Sequence, residues 1–189
     1  MRRNAVSGIV LLLLLTSMLT SAFTIQPAKA EGGTIYIRAD GSVDPPTAPI
    51  QRDGDVYTFT DNIYDSIVIE KDNIVVDGAG YTLKGTGSGK GIDLTGRSNV
   101  TSKNTNIKNF HTGISLDHSS NNIISGNNIA NNMYGISLAD SSNNSISGNN
   151  ITANNLVGIR LDDSYNNSIS GNNIANNWYG IDLCARAQT

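Results

Sequence analysis

The sequence predicts an all-β protein, a single-stranded right-handed parallel β-helix with coils of about 22 residues and an N-terminal capping segment. Three observations predict it. The string Gly-Ile-x-Leu begins at Gly91, Gly113, Gly135, Gly158 and Gly180, returning after 22, 22, 23 and 22 residues. The string Ile-Ser-Gly-Asn-Asn keeps the same clock at Ile124, Ile146 and Ile169. Within each unit the apolar residues alternate over short runs such as Ile136-Ser137-Leu138, which is strand periodicity; no unit holds the run of helical spacing or the several leucines that a leucine-rich repeat needs.

In chain order, residues 1–30 read as a secretory signal peptide. Arg2 and Arg3 precede an apolar run from Ile9 to Leu15, and Ala28-Lys29-Ala30 supplies small residues for cleavage. No apolar span follows, so the expected location is secreted, periplasmic or at the cell surface, with no membrane span after signal cleavage. Removing Arg2, Arg3 and Lys29 from the 13 basic residues leaves 10 against 16 acidic ones, a net charge of −6. That balance, with no basic stripe, excludes nucleic acid as a partner. Cys184 is the only cysteine, so no disulfide closes within the chain.

Residues 31–72 carry strand-like runs, TIYIR from Thr34, VYTFT from Val56 and SIVIE from Ser66, that do not keep the 22-residue clock. With the turn at Asp44-Pro45-Pro46 they suit a cap and lead-in strands over the first coil. Repeats are expected over 73–184. The glycine-rich Gly85 to Gly91 fails the phosphate-loop spacing, because Gly91 stands where Ser or Thr should follow Lys90, and it reads as a flexible insertion. Residues 185–189 break the pattern where turn residues are due. The reading is a truncated or irregular end without a cap, whose exposed edge promotes self-association.

Stacking turns the period into inward columns: Ile92/Ile114/Ile136/Ile159/Ile181, Leu94/Leu116/Leu138/Leu161/Leu183, Ile124/Ile146/Ile169 and Ile107/Ile129/Ile151/Ile174. One coil cannot offset its own conformational entropy, so stacking must supply the remainder. Asparagine tolerates left-handed turns and can bond coil to coil through its amide, which predicts Asn ladders at Asn121/Asn143/Asn166 and Asn128/Asn150/Asn173. Ser102 falls in the Ile124 column and should leave either a gap or a hydroxyl needing a partner; Ser102→Ile is expected to stabilise by roughly 1 kcal/mol.

The GI-x-L and NN-x-ISGNNI repeats, with VDGAGYTL at Val76 to Leu83, resemble the right-handed parallel β-helix repeat proteins of the pectin-lyase-like superfold, close to the NosD-type periplasmic copper-binding domain. The resemblance covers about Asn73 to Leu183. It implies copper-site maturation for NosD-like members and polysaccharide processing for enzymatic relatives; the scaffold alone decides neither.

Four chemistries compete for the surface residues. Asp117-His118, Asp140 and Asp162-Asp163 follow the leucine of successive coils and could supply the carboxylate pair of a polysaccharide lyase, hydrolase or epimerase. The same aspartates could hold calcium through hard oxygen ligands. His111 and Met133, one coil apart, are a fragment of a copper site. Tyr134, Arg160, Tyr165, Trp178 and Tyr179 could line a platform for a polysaccharide or surface glycan. The leading expectation is a non-catalytic binding or display scaffold toward carbohydrate, with the glycan-processing enzyme and the copper-delivery accessory protein as alternatives.

Overall fold

The structure is a computed structural model that describes residues 33–184; the expected signal peptide, 1–30, and the irregular tail, 185–189, lie outside the described residues. The chain winds as a right-handed parallel β-solenoid of about six turns, built from three sheets. The first sheet stacks Thr34–Ile37, Ser66–Ile69, Lys90–Asp93, Thr112–Asp117, Tyr134–Ala139, Val157–Asp162 and Tyr179–Cys184 in parallel. The second stacks Val56–Phe59, Val75–Asp77, Thr101–Lys103, Ile123–Ser125, Ser145–Ser147 and Ser168–Ser170. The third runs from Thr82–Lys84 through Asn106–Lys108, Asn128–Ala130 and Asn150–Thr152 to Asn173–Ala175. Each regular coil visits the three in turn.

The registers match the sequence period. Ile114 pairs with Ile92 and Ile136, Leu138 with Leu116 and Leu161, Ile124 with Ile146, and Ile129 with Ile107 and Ile151. Side chains alternate across a strand, so every second residue of each rung enters one aliphatic core, and the four expected columns are buried through most of their length. The glycine of Gly-Ile-x-Leu has a packing reason. A methyl on Gly113 would overlap the carbonyl oxygen of Gly135, and one on Gly91 that of Gly113, so the backbones of successive coils meet where only hydrogen fits.

Parallel pairing begins before the repeat clock does: Thr34–Ile37 already lies against Ser66–Ile69, and Val56–Thr58 against Val75–Asp77. Two antiparallel pieces close this end. Val43–Asp44 covers the edge of the first sheet and Ile50–Asp53 that of the second. Buried Tyr57 and Phe59 fill the interior there, and the Tyr57 hydroxyl donates to the Gly41 carbonyl at 2.8 Å.

The corners carry the asparagines, in two distinct roles. Asn99, Asn121, Asn143 and Asn166 hold left-handed backbone, with φ of 56 to 58°. The asparagines that follow three of them, Asn122, Asn144 and Asn167, turn inward. The Asn144 Oδ1 accepts from both the backbone N–H and the side-chain Nδ2 of Asn122, at 2.9 and 3.1 Å, while its own Nδ2 donates to the Ser119 carbonyl at 3.1 Å. Asn127/Asn149/Asn172 and Asn132/Asn154/Asn177 repeat this at the other corners. The amide therefore continues the sheet's hydrogen bonding around bends where the backbone cannot.

This modifies the sequence reading of the asparagine columns. The Asn128/Asn150/Asn173 side chains do bond to one another along the outside, at 2.8 and 2.7 Å. Asn121 and Asn143 do not reach their counterparts; each donates instead to the preceding serine, Ser120 or Ser142. At the start of the same column the amides do meet, Asn99 Nδ2 donating to Asn73 Oδ1 at 3.1 Å. Ser102 pairs in register with Val76 and Ile124, is fully buried, and its hydroxyl has no partner, as its place in an aliphatic column requires.

Candidate functional site

The corner between the first and second sheets is built by one residue per coil in left-handed conformation: Gly96, His118, Asp140 and Asp163, with φ of 70, 50, 46 and 44°. Short polar side chains tolerate this backbone. The amides of His118 and Asp140 donate along the stack to the carbonyls of Ala139 and Asp162, both at 3.0 Å, so successive corners sit in register. That register brings side chains from two coils together. His118 Nδ1 lies 2.7 Å from Asp117 Oδ1, and Nε2 lies 3.8 Å from Asp140 Oδ2. Ligand atoms of Asp117, His118 and Asp140 fall within 4.8 Å of one another, on an exposed surface where the His118 side chain is 71% accessible.

Asp162 and Asp163 belong to the next rung. Asp162 pairs with Arg160 at 3.5 Å and is separated from Asp117 in the strand register by Ala139. The corner thus assembles three of the five acid–base candidates and directs a fourth to an arginine. Its chemistry is one imidazole and two carboxylates. Nitrogen and oxygen donors in this ratio suit copper(II) or zinc; calcium asks for six to eight oxygens, and copper(I) for soft sulfur that the corner lacks. His111, the other histidine, places Nδ1 3.2 Å from Thr112 Oγ1 and its ring 5.3 Å from that of Tyr134, while half-exposed Met133 occupies the equivalent turn one coil on.

The aromatic candidates spread over two turns and one face. Tyr134 and Tyr179 share a column on the first sheet with Val157 between them, and the Arg160 guanidinium lies 5.7 Å from the Tyr134 ring centre. Trp178 stands in the turn before that sheet and Tyr165 in the turn after it, both exposed.

Sequence reasoning passed over a groove on the third sheet. Lys84 and Lys108 are direct register partners there, and with Tyr64, Asn109 and Asn131 they border two adjoining cavities of about 370 and 330 Å³. The available signal was that each lysine follows an inward aliphatic, Leu83 or Ile107, and so must face outward. The glycine-rich Gly85–Gly87 run is part of this wall: Gly85 lies so close to the Phe110 ring that no side chain fits, and the Gly87 amide donates to the Asn109 carbonyl at 2.7 Å.

Among the described residues no helix is long and apolar enough to cross a membrane. A family model described as "Periplasmic copper-binding protein (NosD)" matches residues 31–189. No curated protein and no solved structure matches the chain.

Proposed function

Because the chain belongs to the NosD family, we propose that it is a periplasmic scaffold whose task is to hold copper, and that Asp117, His118 and Asp140 are the residues that hold it. The observation that carries this reading is the convergence, across two coils, of three metal-ligating side chains within 4.8 Å. The donor set fits copper(II), and the exposed rim leaves room for ligands from a delivery partner. The rigid stack supplies the positioning, since the left-handed corner backbone aims both His118 and Asp140 outward.

Titration of the purified chain with copper(II), followed by electron paramagnetic resonance, tests this. One equivalent with nitrogen coupling is expected, lost in His118→Ala and weakened about tenfold or more in Asp140→Asn. Retention in His118→Ala with loss in His111→Ala would move the site to the His111 turn and reject the assignment.

A second reading, contact with neutral glycans, is favoured by the first sheet's outer face. Tyr134 and Arg160 lie together there, and the local charges are already paired, Arg160 with Asp162 and Lys90 with Asp93. Binding of uncharged oligosaccharides that Tyr134→Ala abolishes would support it.

A further inference from the structure

We infer that the open C-terminal end of the described solenoid is the interface of a two-fold dimer, in which a second copy of this chain lays its last rung antiparallel against the first. The inference does not rest on the copper reading.

The two ends of the described solenoid differ. At the N-terminal end, Val43–Asp44 and Ile50–Asp53 pair antiparallel along two sheet edges and close them. At the other end Ser168–Ser170, Asn173–Ala175 and Tyr179–Cys184 are each the last strand of their sheet, with no described strand beyond them. The aliphatic columns open there: Leu161 is 7% exposed but Leu183 74%, and Ile159 is fully buried but Ile181 46% exposed. The hydrogen-bond ladders open too. The backbone N–H groups of Asn144, Asn149 and Asn154 donate to the Oδ1 of the asparagine one coil on, Asn167, Asn172 and Asn177. The N–H groups of Asn167, Asn172 and Asn177 have no such acceptor among the described residues. Unpaired strand edges around exposed aliphatics recruit another strand.

Self-complementarity selects a second copy as the occupant. The last coil has one long side, the six-residue strand Tyr179–Cys184, and two short ones, the three-residue strands Ser168–Ser170 and Asn173–Ala175. A two-fold axis from the corner at Gly171–Asn172 to the middle of the long strand exchanges the short sides and maps the long one onto itself. From Gly171 to Asp182 is 11 residues, half of the 22 between Leu161 and Leu183, as an axis crossing the coil requires. Rungs that meet across this axis run antiparallel, the same geometry that closes the N-terminal end. Ile169 then lies opposite the second copy's Ile174, and Ile181 opposite its Leu183, so the inward residues of both rungs face one shared core. A shift of one residue would set aliphatics against outward polar residues.

The rim agrees with the core. The axis carries the turn that holds Trp178 onto the turn that holds Tyr165, and both rings are exposed, as aromatic anchors of an interface are before binding. Asp182 is the only charged residue of the three edge strands and meets its own copy at the axis. Arg160 is its register partner one rung back, so the two carboxylates are flanked by two guanidinium groups.

Sedimentation velocity and light scattering on the purified chain over a range of concentrations test this. A reversible dimer is expected, with no larger species because a two-fold contact uses up both edges. Reductant should not change it, since Cys184 falls opposite Gly180 of the second copy rather than its own counterpart. Leu183→Lys, at a side chain already exposed, should weaken dimerisation about tenfold or more, whereas Ile123→Lys, on the side of the second sheet, should leave it unchanged. Asp182→Cys combined with Cys184→Ser should give a disulfide-linked dimer on mild oxidation, because residues directly opposite in an antiparallel pair lie within disulfide reach. A monomer at every concentration would mean that another occupant covers this end, and open-ended polymers would mean a head-to-tail contact. Dissociation by reductant, a dimer indifferent to Leu183→Lys, or no cross-link through residue 182 would likewise overturn the proposal.

Discussion

The N-terminal third of the solenoid and the regular repeats that follow solve the same problem, keeping polar groups satisfied around a dry core, by different chemistry. In the repeats, identical corners recur and one side chain serves them all: inward asparagine bonds to its counterpart one coil on and to the backbone beside it. In the N-terminal third and at its junction with the repeats the inward asparagines are missing. There the rim is held by charge pairs, Arg38 with Asp44 and Glu70, Lys71 with Asp55, and Lys103 with Asp77, and the interior is filled by Tyr57 and Phe59. Geometric repetition lets a neutral amide do what otherwise takes a separate ion pair at each irregular bend.

The largest effect is expected from breaking the repeat's solution. Asn149 accepts from the backbone and side chain of Asn127 and donates to Ile124, Ser147 and Asn172, all in a largely buried setting. Asn149→Ala strands several of these groups and should cost about 4 kcal/mol or more, at roughly 1–3 kcal/mol for each buried group left unpaired. Asn150→Ala, next along the chain but outside, should cost about 0.5 kcal/mol, because its amide bonds are exposed. Urea denaturation of both variants measures the gap, and equal losses would erase the distinction between inner and outer asparagines.

A smaller effect lies at the junction of the two regions. Ser102 interrupts the aliphatic column between Val76 and Ile124 with an unpartnered hydroxyl. Ser102→Val should raise stability by about 1 kcal/mol, by filling volume and removing a buried group that nothing satisfies. A lower unfolding midpoint would mean that the hydroxyl has a use the packing does not show.

The smallest effect sharpens the comparison from the N-terminal side. Burial pushes the Asp77 carboxyl up, but hydrogen bonds from the Ala79 amide, Asn104 and Lys103, with the Lys103 charge, hold it below the usual carboxylate range. A depressed value means the carboxylate stabilises the fold above its unfolded pKa, about 3.9, and that this contribution fades as pH falls through the folded value. Asp77→Asn should therefore cost under about 1 kcal/mol near neutral pH and nothing in strong acid. Stability curves against pH for the two proteins should converge at the acid end; a constant offset would show that shape, not charge, carries the contribution.

Period alone determined the architecture. A string that returns every 22 or 23 residues can bury its aliphatics only by stacking, so Ile114 over Ile136, the buried columns and the misfit of Ser102 were all legible in the sequence. The sequence also placed Asp117-His118 and Asp140 at one corner, because they keep the same clock, although it offered them for acid–base chemistry or calcium and looked to His111 and Met133 for copper. It did not show which of two adjacent asparagines faces inward, since that depends on which one takes the left-handed backbone at the bend. Nor did it reveal the groove at Lys84 and Lys108, whose walls come from Tyr64, Asn109 and Asn131 on different coils. The stacking of a repeat is a one-dimensional fact that a linear string records; the direction of a side chain at a corner, and the space left between corners, are set by backbone dihedrals that only the folded coil defines.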